Sequence, residues 1–288
     1  MIYAFETRRL TDNVIGPFAE SIEGKLIKSR GQVLPEEQTQ WLNFNMQKWV
    51  SEKTPIAIFG ILRGTAELMR ICKEHNIDYY YFDHAYFYRA DRHKNHMAFN
   101  TRFYRITKNG QSLNKIIEWN KSEEYTNRIK VFRRTFNIKV NTKFFQSEGE
   151  KILVLPPSDY ICKFYNYGTQ EDWINKTVKK IEEHTDRKII IRRKGDKEDF
   201  IEQLQSAYCT VSSQTTAIID SIRFGKPSFC EEMSCALPMS KTDLSEIENP
   251  FRPKEDEIEY WINGLLSSQF KESEISSGYA FKMIEDLQ

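Results

Sequence analysis

The chain has 288 residues, of which 40% are hydrophobic and 29% charged, and its formal net charge is +1. This length favours two domains over one, and the balanced charge excludes a uniformly basic nucleic-acid-binding protein, so that any such surface must be a local patch. No apolar run approaches the roughly 18 residues that a membrane span needs, and the first residues lack a signal-peptide pattern. We therefore expect a cytoplasmic protein with no membrane partner.

The first half of the sequence predicts an α/β domain. Strands are expected over residues 2–5, 55–61 and 78–82, and helices over residues 34–50 and 65–75. The crossover between the second and third strands is long enough for them to be parallel, and a parallel pair needs cover on both faces.

The second half predicts another α/β domain, in which short apolar runs alternate with helical patterns. The strands are expected over residues 151–155, 188–192, 208–211 and 227–229, and the helices over residues 170–184, 197–207 and 217–224. Thr169 is the expected N-cap of the first of these helices. Gly225 and Pro227 are expected to end the last one.

Two further helices are expected in the tail, over residues 254–266 and 272–287. The best linker candidate is residues 146–150. The predicted organisation is therefore an acceptor-side domain over 1–148, a donor domain over 149–268 and a C-terminal helix over 269–288 that packs back on the first domain.

The sequence offers little metal-binding chemistry. The five cysteines are scattered and contain no C-x-x-C pair, which favours reduced, buried thiols. His93 and His96 lie three residues apart without a third ligand in register, so no metal site is predicted. Dependence on a divalent metal and the oligomeric state are left open.

Ligands of parallel α/β domains bind at the carboxyl ends of the strands. In the second domain those ends carry hydroxyl groups and cations, which together suit a diphosphate. The candidate residues are Ser158, Arg192, Arg193, Lys194, Ser212, Ser213, Gln214, Thr215 and Thr216. The competing interpretation is that the Arg-Arg-Lys run is only a solvated turn.

The strand ends of the first domain carry a loop with Arg63 and Gly64, followed by the pair Asp83 and His84. The loop contains neither a P-loop nor a G-x-G-x-x-G pattern. Asp83 ends an apolar strand, where a general base against a substrate hydroxyl would lie, and His84 is the alternative base. Equally, Asp83 is suited to capping the next turn.

Cations and aromatic rings are interleaved over residues 84–110, with a single acid, Asp91. This pattern suits extrahelical nucleic acid, with cations for phosphates and rings for bases. A β-hairpin whose aromatic side chains enter the core is the equally weighted alternative. The candidate acceptor residues are Tyr86, Phe87, Tyr88, Arg89, Arg92, Lys94, Arg102, Tyr104 and Arg105.

The stretch 212–227, Ser-Ser-Gln-Thr-Thr-Ala-Ile-Ile-Asp-Ser-Ile-Arg-Phe-Gly-Lys-Pro, resembles the donor-side motif of GT-B glycosyltransferases. The resemblance implies an α/β fold with two Rossmann-like α/β/α domains that face a central cleft. In that class a Glu of this helix often binds the ribose, whereas Asp220 is the nearest acid here.

A second set of motifs, spread over residues 55–285, is similar to bacteriophage proteins identified as glycosyltransferases. Its members include Tyr-Phe-Asp-His-Ala-Tyr-Phe at 81–87, Leu-Pro-Pro-Ser at 155–158, Ile-Ile-Arg-Arg-Lys at 190–194 and Ile-Glu-Asn-Pro at 247–250. The resemblance implies that Glu248 and Asn249 contact the donor sugar or ribose. It also implies sugar transfer to 5-hydroxymethylpyrimidines of DNA.

The sequence therefore predicts a glycosyltransferase that uses a nucleoside diphosphate sugar, UDP-linked by default, as co-substrate. The expected acceptor is 5-hydroxymethylcytosine or 5-hydroxymethyluracil in double-stranded DNA, which would be flipped out of the duplex. One alternative is the same fold acting on a surface glycan or a small molecule. Another is a non-catalytic DNA-binding protein on the same scaffold.

Overall fold

The computed structural model describes residues 1–7, 14–29, 41–87, 103–145 and 148–288. The chain divides into two compact units. Unit 1 comprises Met1–Ser112, Glu118–Tyr125 and Leu265–Gln288, and unit 2 comprises Leu113–Ile117 and Thr126–Gly264.

The first boundary therefore lies earlier in the chain than the predicted position at residue 148. The segment that follows residue 126 packs within unit 2, where the Asn141 amide donates to the Arg223 carbonyl at 2.9 Å. The tail from Leu265 onwards belongs to unit 1.

Unit 1 contains a six-stranded sheet in the order β10-β5-β4-β3-β1-β2. Its strands are β1 (Tyr3–Glu6), β2 (Lys25–Lys28), β3 (Ile56–Phe59), β4 (Tyr79–His84), β5 (Phe103–Lys108) and β10 (Gln269–Lys271). β3 and β4 are parallel, as predicted, whereas β5 is antiparallel to both β4 and β10. The sequence analysis missed β2, β5 and β10, which are short or lie inside the basic aromatic segment and the tail.

The helices of unit 1 cover the sheet with aromatic side chains. They are α1 (Ile15–Ser21), α2 (Met46–Glu52), α3 (Thr65–His75), α10 (Glu272–Ser276) and α11 (Tyr279–Leu287). Phe18 of α1 packs edge-on against Phe82 of β4 at 4.9 Å between ring centroids, and Trp49 of α2 packs against Phe5 of β1. These contacts bury the aromatic rings of the strands, which are rich in Phe, Tyr and Ile.

Two helix predictions in unit 1 need correction. The helix expected over residues 34–50 is observed only as α2, and residues 34–40 lie outside the described part of the chain. The helix expected over residues 272–287 is interrupted at Gly278, which has φ +79 and separates α10 from α11. A left-handed residue ends a helical hydrogen-bond ladder, and glycine adopts that conformation at little cost.

Unit 2 contains a parallel four-stranded sheet in the order β7-β6-β8-β9. Its strands are β6 (Lys151–Leu155), β7 (Ile189–Ile191), β8 (Ala207–Ser212) and β9 (Ser228–Phe229), close to the four predicted strands. Because all four strands run in one direction, their carboxyl ends lie along one edge, which is where such domains bind ligands.

Helices cover both faces of the unit 2 sheet, as parallel strands require. They include α5 (Asp159–Phe164), α6 (Gln170–Glu182), α7 (Phe200–Gln205) and α8 (Ala217–Arg223), while α4 (Glu123–Thr135) and α9 (Glu255–Ser267) cross the unit boundary. Trp173 of α6 packs with Val211 on one face, and Leu204 of α7 packs with Leu155 on the other.

Local signals in the sequence explain where α6 begins. Thr169 accepts a hydrogen bond from the Asp172 amide, and the Asp172 carboxylate accepts one from the Thr169 amide. This reciprocal capping box satisfies donors that the first turn leaves unpaired, and it bears out the predicted N-cap. None of the helices in the described ranges is long and apolar enough to cross a membrane.

The turn after α8 depends on Gly225 and Lys226. Gly225 has φ +82, and a Cβ there would lie 2.1 Å from the Thr142 carbonyl oxygen. Lys226 is buried, and its Nζ donates to the Ala207 carbonyl at 2.7 Å and to the Gln205 carbonyl at 3.3 Å. Burial lowers the pKa of this ammonium group. The turn therefore joins α8 to β9 through contacts that admit no larger residue at 225.

We expect Gly225→Ala to destabilise unit 2 by at least about 2 kcal/mol, since it adds a clash with the Thr142 carbonyl to the cost of a left-handed backbone. The measurement is the free energy of unfolding in urea. Gly195→Ala is the matched control, because Gly195 has φ +101 but open space at its Cβ position, and it should cost only about 1 kcal/mol. Equal losses in the two variants would contradict the role of the Thr142 contact.

Candidate functional site

A pocket of about 430 Å³ opens within unit 2, beside the carboxyl ends of β8 and β9. Its size lies in the range of about 300–1,000 Å³ that small-molecule sites occupy. Its lining comes from α6, the ends of β8 and β9, residues 166–167 and residues 242–245. We call it the α6 pocket.

One wall of the α6 pocket is a single face of α6. Trp173, Lys176, Thr177 and Lys180 lie at the i, i+3, i+4 and i+7 spacing that puts side chains on one side of a helix, and all four line the pocket. Trp173 and Thr177 are 4% and 8% exposed. The two lysines are exposed and have no ionic partner among the described residues.

Two polar atoms of this wall open on the pocket. Trp173 Nε1 and Thr177 Oγ1 have no hydrogen-bond partner within the described ranges, yet neither is among the fully enclosed unpaired atoms. Since their residues are nearly buried and line the pocket, both atoms are available to a molecule that enters it.

The opposite wall is acidic and hydroxyl-rich. Glu231 follows β9, and Thr242, Asp243 and Ser245 follow the next turn of the chain. Burial raises the pKa of Tyr167, another lining residue, to about 12, and the negative charge of Glu231 adds to the rise. The Glu231 side chain has no hydrogen bond or ion pair in the part of the chain that the structure describes.

The predicted hydroxyl turn at residues 212–216 is less open than its sequence implied. Ser212 and Ser213 are 2% and 0% exposed. Strand alternation places the side chains of Ser212 and Thr210 on one face of the sheet and that of Val211 on the opposite face. On the first face, the Thr210 hydroxyl forms a hydrogen bond with the Ser228 hydroxyl at 2.8 Å. Ser212 lines the α6 pocket, and this alternation turns its hydroxyl towards the α7 and α8 face.

The remaining residues of that turn are half-buried. The Gln214 side chain lies beside the Tyr165 hydroxyl, where it opposes the rise that burial causes in the pKa of Tyr165. Thr215 Oγ1 accepts a hydrogen bond from the Ala217 amide at 3.3 Å, and Thr216 precedes α8 as its N-cap residue without a side-chain cap. The turn thus starts α8 as predicted, and the buried Ser212 hydroxyl has no hydrogen-bond partner among the described residues.

The predicted cation cluster after β7 is largely engaged by its neighbours. Arg192 donates to Gln203 Oε1 at 2.6 Å and to the Glu198 carbonyl at 2.9 Å, and Arg193 pairs with Glu171 at 2.6 Å. Lys194 is exposed. The solvated-turn interpretation therefore describes Lys194, whereas the two arginines brace the segment that follows β7.

Ser158 is exposed at the carboxyl end of β6, as predicted, and it is the N-cap residue of α5. Its hydroxyl makes no capping hydrogen bond. Along this edge, β6 and β7 lie on one side of β8, and β9 lies on its other side. Neither Ser158 nor the 192–194 cluster lines the α6 pocket.

Glu248 lies at the other edge of the unit 2 sheet. Arg187, which precedes β7, donates to both Glu248 carboxylate oxygens at 2.9 and 3.0 Å, and the Tyr208 hydroxyl at the start of β8 donates to the Glu248 carbonyl. Hydrogen bonds from Arg187 and then Thr185 lower the pKa of the Glu248 carboxyl. Glu248 thus braces the amino ends of the strands, which corrects its predicted position beside a donor; Asn249 follows it in the same turn.

In unit 1, Asp83 and His84 end β4, as the sequence placed them. Asp83 Oδ2 forms an ion pair with Arg105 of β5 at 2.6 Å, and Oδ1 accepts a hydrogen bond from the His84 amide at 2.7 Å. Both oxygens of Asp83 are therefore engaged. His84 is half-buried, with its ring edge-on to Phe59 at 5.9 Å between centroids.

Arg63 and Gly64 lie in the loop between β3 and α3. Both have positive φ, +60 and +85. The Thr65 hydroxyl fixes the loop. Its Oγ1 lies 2.8 Å from the Gly60 carbonyl oxygen and 2.7 Å from the Leu62 carbonyl oxygen, and it can donate a hydrogen bond to either. Arg63 is half-buried and has no ionic partner within the described residues.

The described part of the basic aromatic segment is a hairpin arm whose rings enter the core. Tyr86 and Tyr104 are 6% and 2% exposed. Arg105 lies over the Tyr86 ring at 5.1 Å, and the Phe87 amide donates to Gln269 Oε1 at 2.9 Å. This is the hairpin alternative, and it corrects the expectation that these residues stack on bases. Tyr88, Arg89, Arg92, Lys94 and Arg102 lie outside the described residues, as do His93 and His96.

The α6 pocket residues were missed by the sequence analysis. Trp173, Lys176, Thr177 and Lys180 form an ordinary amphipathic pattern, which the sequence explains as core plus solvated lysines. The available signal was Thr177, a polar residue on the apolar face. Among the described residues, no group of three or more His, Cys, Asp or Glu is arranged to hold a metal ion.

We expect Glu248→Gln to lower stability by about 1 kcal/mol or less, because the pair with Arg187 is partly exposed, and to leave ligand binding in the α6 pocket unchanged. The folded-state pKa of this carboxyl lies below its ordinary 4.5. Its contribution is therefore full above pH 4.5 and is lost as the pH falls through the lowered value. Urea unfolding at a series of pH values below 7 should show a difference between wild type and variant that is full above pH 4.5 and shrinks as the pH falls below it. A loss of ligand binding in this variant would show that Glu248 belongs to the ligand site.

Comparisons with known proteins bear on the fold. No protein-family model matches the chain, and no curated protein does. The β Kdo 2,7 transferase structure of Thermosulfurimonas dismutans KpsC is 10% identical, with coverage of 99% of this chain and 98% of that one and a TM-score of 0.52. The β Kdo 2,4 transferase structure of the same protein is 11% identical, with coverage of 91% and 89% and a TM-score of 0.44. The first likeness extends over both units, and with the two α/β units it confirms the GT-B-like fold class.

Proposed function

We propose that the chain is a glycosyltransferase that moves a sugar from a nucleotide-sugar donor to a hydroxyl group of an acceptor. The observation that carries the proposal is the α6 pocket, which lies beside the carboxyl ends of two parallel strands and has the volume of a small-molecule site. The fold shared with a structure titled as a Kdo transferase supports it.

The charges of unit 2 suit such a donor. Lys176 and Lys180 line the α6 pocket together with the carboxylates of Glu183, Glu231 and Asp243, and cations stabilise a phosphate leaving group as its negative charge develops. UDP-linked sugars are the first donors to test, followed by other nucleotide sugars.

For the acceptor, a hydroxyl of a glycan is the better candidate. Tyr86 and Tyr104, which the sequence assigned to DNA bases, are buried in the unit 1 core, and the similar structure is a β Kdo 2,7 transferase. Transfer to 5-hydroxymethylpyrimidine DNA is the second candidate. It rests on the cations of residues 89–102 in the sequence.

The experiment is incubation with a panel of nucleotide sugars and two acceptor sets, oligosaccharides and hydroxymethylated duplex DNA, followed by mass spectrometry of the products. A sugar mass added to an oligosaccharide supports the first acceptor, and one added to a nucleoside supports the second. Absence of transfer and of nucleotide release with every donor would reject the glycosyltransferase proposal.

Proton transfer from the acceptor is assigned to His84 in this proposal. Both oxygens of Asp83 already accept hydrogen bonds, whereas an imidazole exchanges protons near neutral pH. Asp83 then holds Arg105 and the end of β4 in place.

We expect His84→Gln to reduce transfer at least about 100-fold, the contribution of a typical general base, without a change in stability. Asp83→Asn should instead lower the free energy of unfolding by about 2 kcal/mol, because it leaves the 13%-exposed Arg105 side chain without its carboxylate. The measurements are initial rates and urea unfolding. Lost transfer with unchanged stability in Asp83→Asn would make Asp83 the base.

A further inference from the structure

The loop that follows β3 contains a strained arginine. Gly60, Arg63 and Gly64 all have positive φ, at +63, +60 and +85. Glycine adopts this conformation at little cost, whereas the Cβ of an arginine makes it unfavourable. Strain of this kind is found mainly at ligand sites and active sites. The side chain of Arg63, rather than its backbone, is therefore what the sequence retains at this position.

The loop lies at the same sheet edge as the end of β4. The Gly60 amide donates to the Phe82 carbonyl at 2.8 Å, and Thr65 closes the loop through its contact with the Gly60 carbonyl. A Cβ at Gly60 would meet no atom of the described residues within 4 Å. The edge between β3 and β4 thus has room for a molecule beside the strained loop.

The charge of Arg63 is not neutralised by its neighbours. Arg63 is half-buried and has no ionic partner in the described ranges. The carboxylates that end β1 and β4 and begin α3 already have cations of their own. These pairs are Glu6 with Lys28, Asp83 with Arg105 and Glu67 with Arg70, at 3.7, 2.6 and 3.6 Å. An anion from outside the chain can therefore bind Arg63 without competing with one of these carboxylates.

His84, the proposed base, is held in place at this edge. Its amide donates to Asp83 Oδ1 at 2.7 Å, and its carbonyl accepts from Arg105 Nη1 at 3.3 Å. Its ring contacts Phe59, the last residue of β3, which precedes Arg63 by four residues. A fixed base fixes the position of the acceptor hydroxyl that it deprotonates. A cation on the same edge then lies where it can meet another substituent of the acceptor.

The chemistry of a guanidinium group selects that substituent. Its planar array of N–H donors matches the two oxygens of a carboxylate or a phosphate and forms charge-assisted hydrogen bonds with them. A neutral sugar hydroxyl offers no charge to balance that of a half-buried cation.

We propose that Arg63 binds an anionic group of the acceptor, a carboxylate or a phosphate, beside the hydroxyl that His84 deprotonates. This inference rests on the proposed function and narrows its acceptor from a glycan to an acidic glycan. Arg63 is then a specificity-determining residue, and the strain of the loop is the cost of presenting its cation at the strand end.

Calorimetric titration of the full chain tests the proposal with three probes that share one sugar ring. They are methyl glucoside, methyl glucuronide and methyl glucoside 6-phosphate, and the same three forms are used in the galactose series. Wild type should bind at least one acidic probe about 10-fold more tightly than its neutral counterpart, the value of one charge-assisted hydrogen bond. The uronide and phosphate arms distinguish the two anions. Equal affinity for neutral and acidic probes in both series would overturn the proposal.

Arg63→Asn is the decisive variant, and Lys53→Asn is its matched control. Lys53 also has positive φ, +50, but it is exposed at the C-cap of α2. Asparagine tolerates the left-handed conformation, so neither change should lower the melting temperature. Arg63→Asn should abolish the preference by weakening only the acidic probe, and Lys53→Asn should retain it. A preference that survives Arg63→Asn, or that Lys53→Asn also removes, would contradict the assignment.

Titration with UDP separates the acceptor from the donor. Arg63→Asn should leave UDP affinity unchanged, whereas a 10-fold loss of UDP affinity with an intact acidic preference would assign Arg63 to the donor phosphates. Equal transfer to neutral and acidic acceptors would reject this inference but not the glycosyltransferase. Binding of an acidic probe without transfer or nucleotide release from any donor would reject the glycosyltransferase and, with it, the acceptor role of Arg63.

Discussion

The parallel pairing of β6, β7, β8 and β9 is the constraint on which the chemistry of unit 2 depends. Strands that run in one direction place all their carboxyl ends at one edge and must be covered on both faces. The polar loops of this unit are thereby divided into two groups with different roles. Groups beside the carboxyl ends can meet a ligand, and groups beside the amino ends, such as the pair between Arg187 and Glu248, can only brace the sheet.

Side-chain alternation and helical periodicity then decide which polar groups reach the pocket. Along β8 the hydroxyl of Ser212 is directed away from α6, although the residue lines the pocket. Along α6, by contrast, the spacing of Trp173, Thr177 and Lys180 turns all three to the same side. The α6 pocket therefore combines one residue of the hydroxyl-rich stretch, Ser212, with one face of an amphipathic helix.

Most of the fold could be predicted from the sequence, since apolar runs, the Thr169 cap and the turn at Gly225 are local signals. Strands inside a basic or polar context could not be predicted, because β5 and β10 are stabilised by pairing with distant segments. The sequence placed its candidate residues of unit 2 mainly at the carboxyl ends of the strands, and of these residues only Ser212 lines the α6 pocket. Whether Arg192 meets a ligand or Gln203 depends on tertiary contacts that no spacing reveals.

In unit 2, polar groups that have protein partners contribute to stability, and accessible polar groups that have none can bind a ligand. Arg193 and Glu248 have ionic partners in Glu171 and Arg187, and Arg192 donates to Gln203, so removal of any of the three breaks a contact within the folded chain. The accessible atoms of Trp173 and Thr177 have none within the described residues and are not among the buried unpaired atoms, so they are open to water or to a ligand. The α6 pocket is the candidate site because it lies beside the carboxyl ends of β8 and β9, where parallel α/β domains bind ligands.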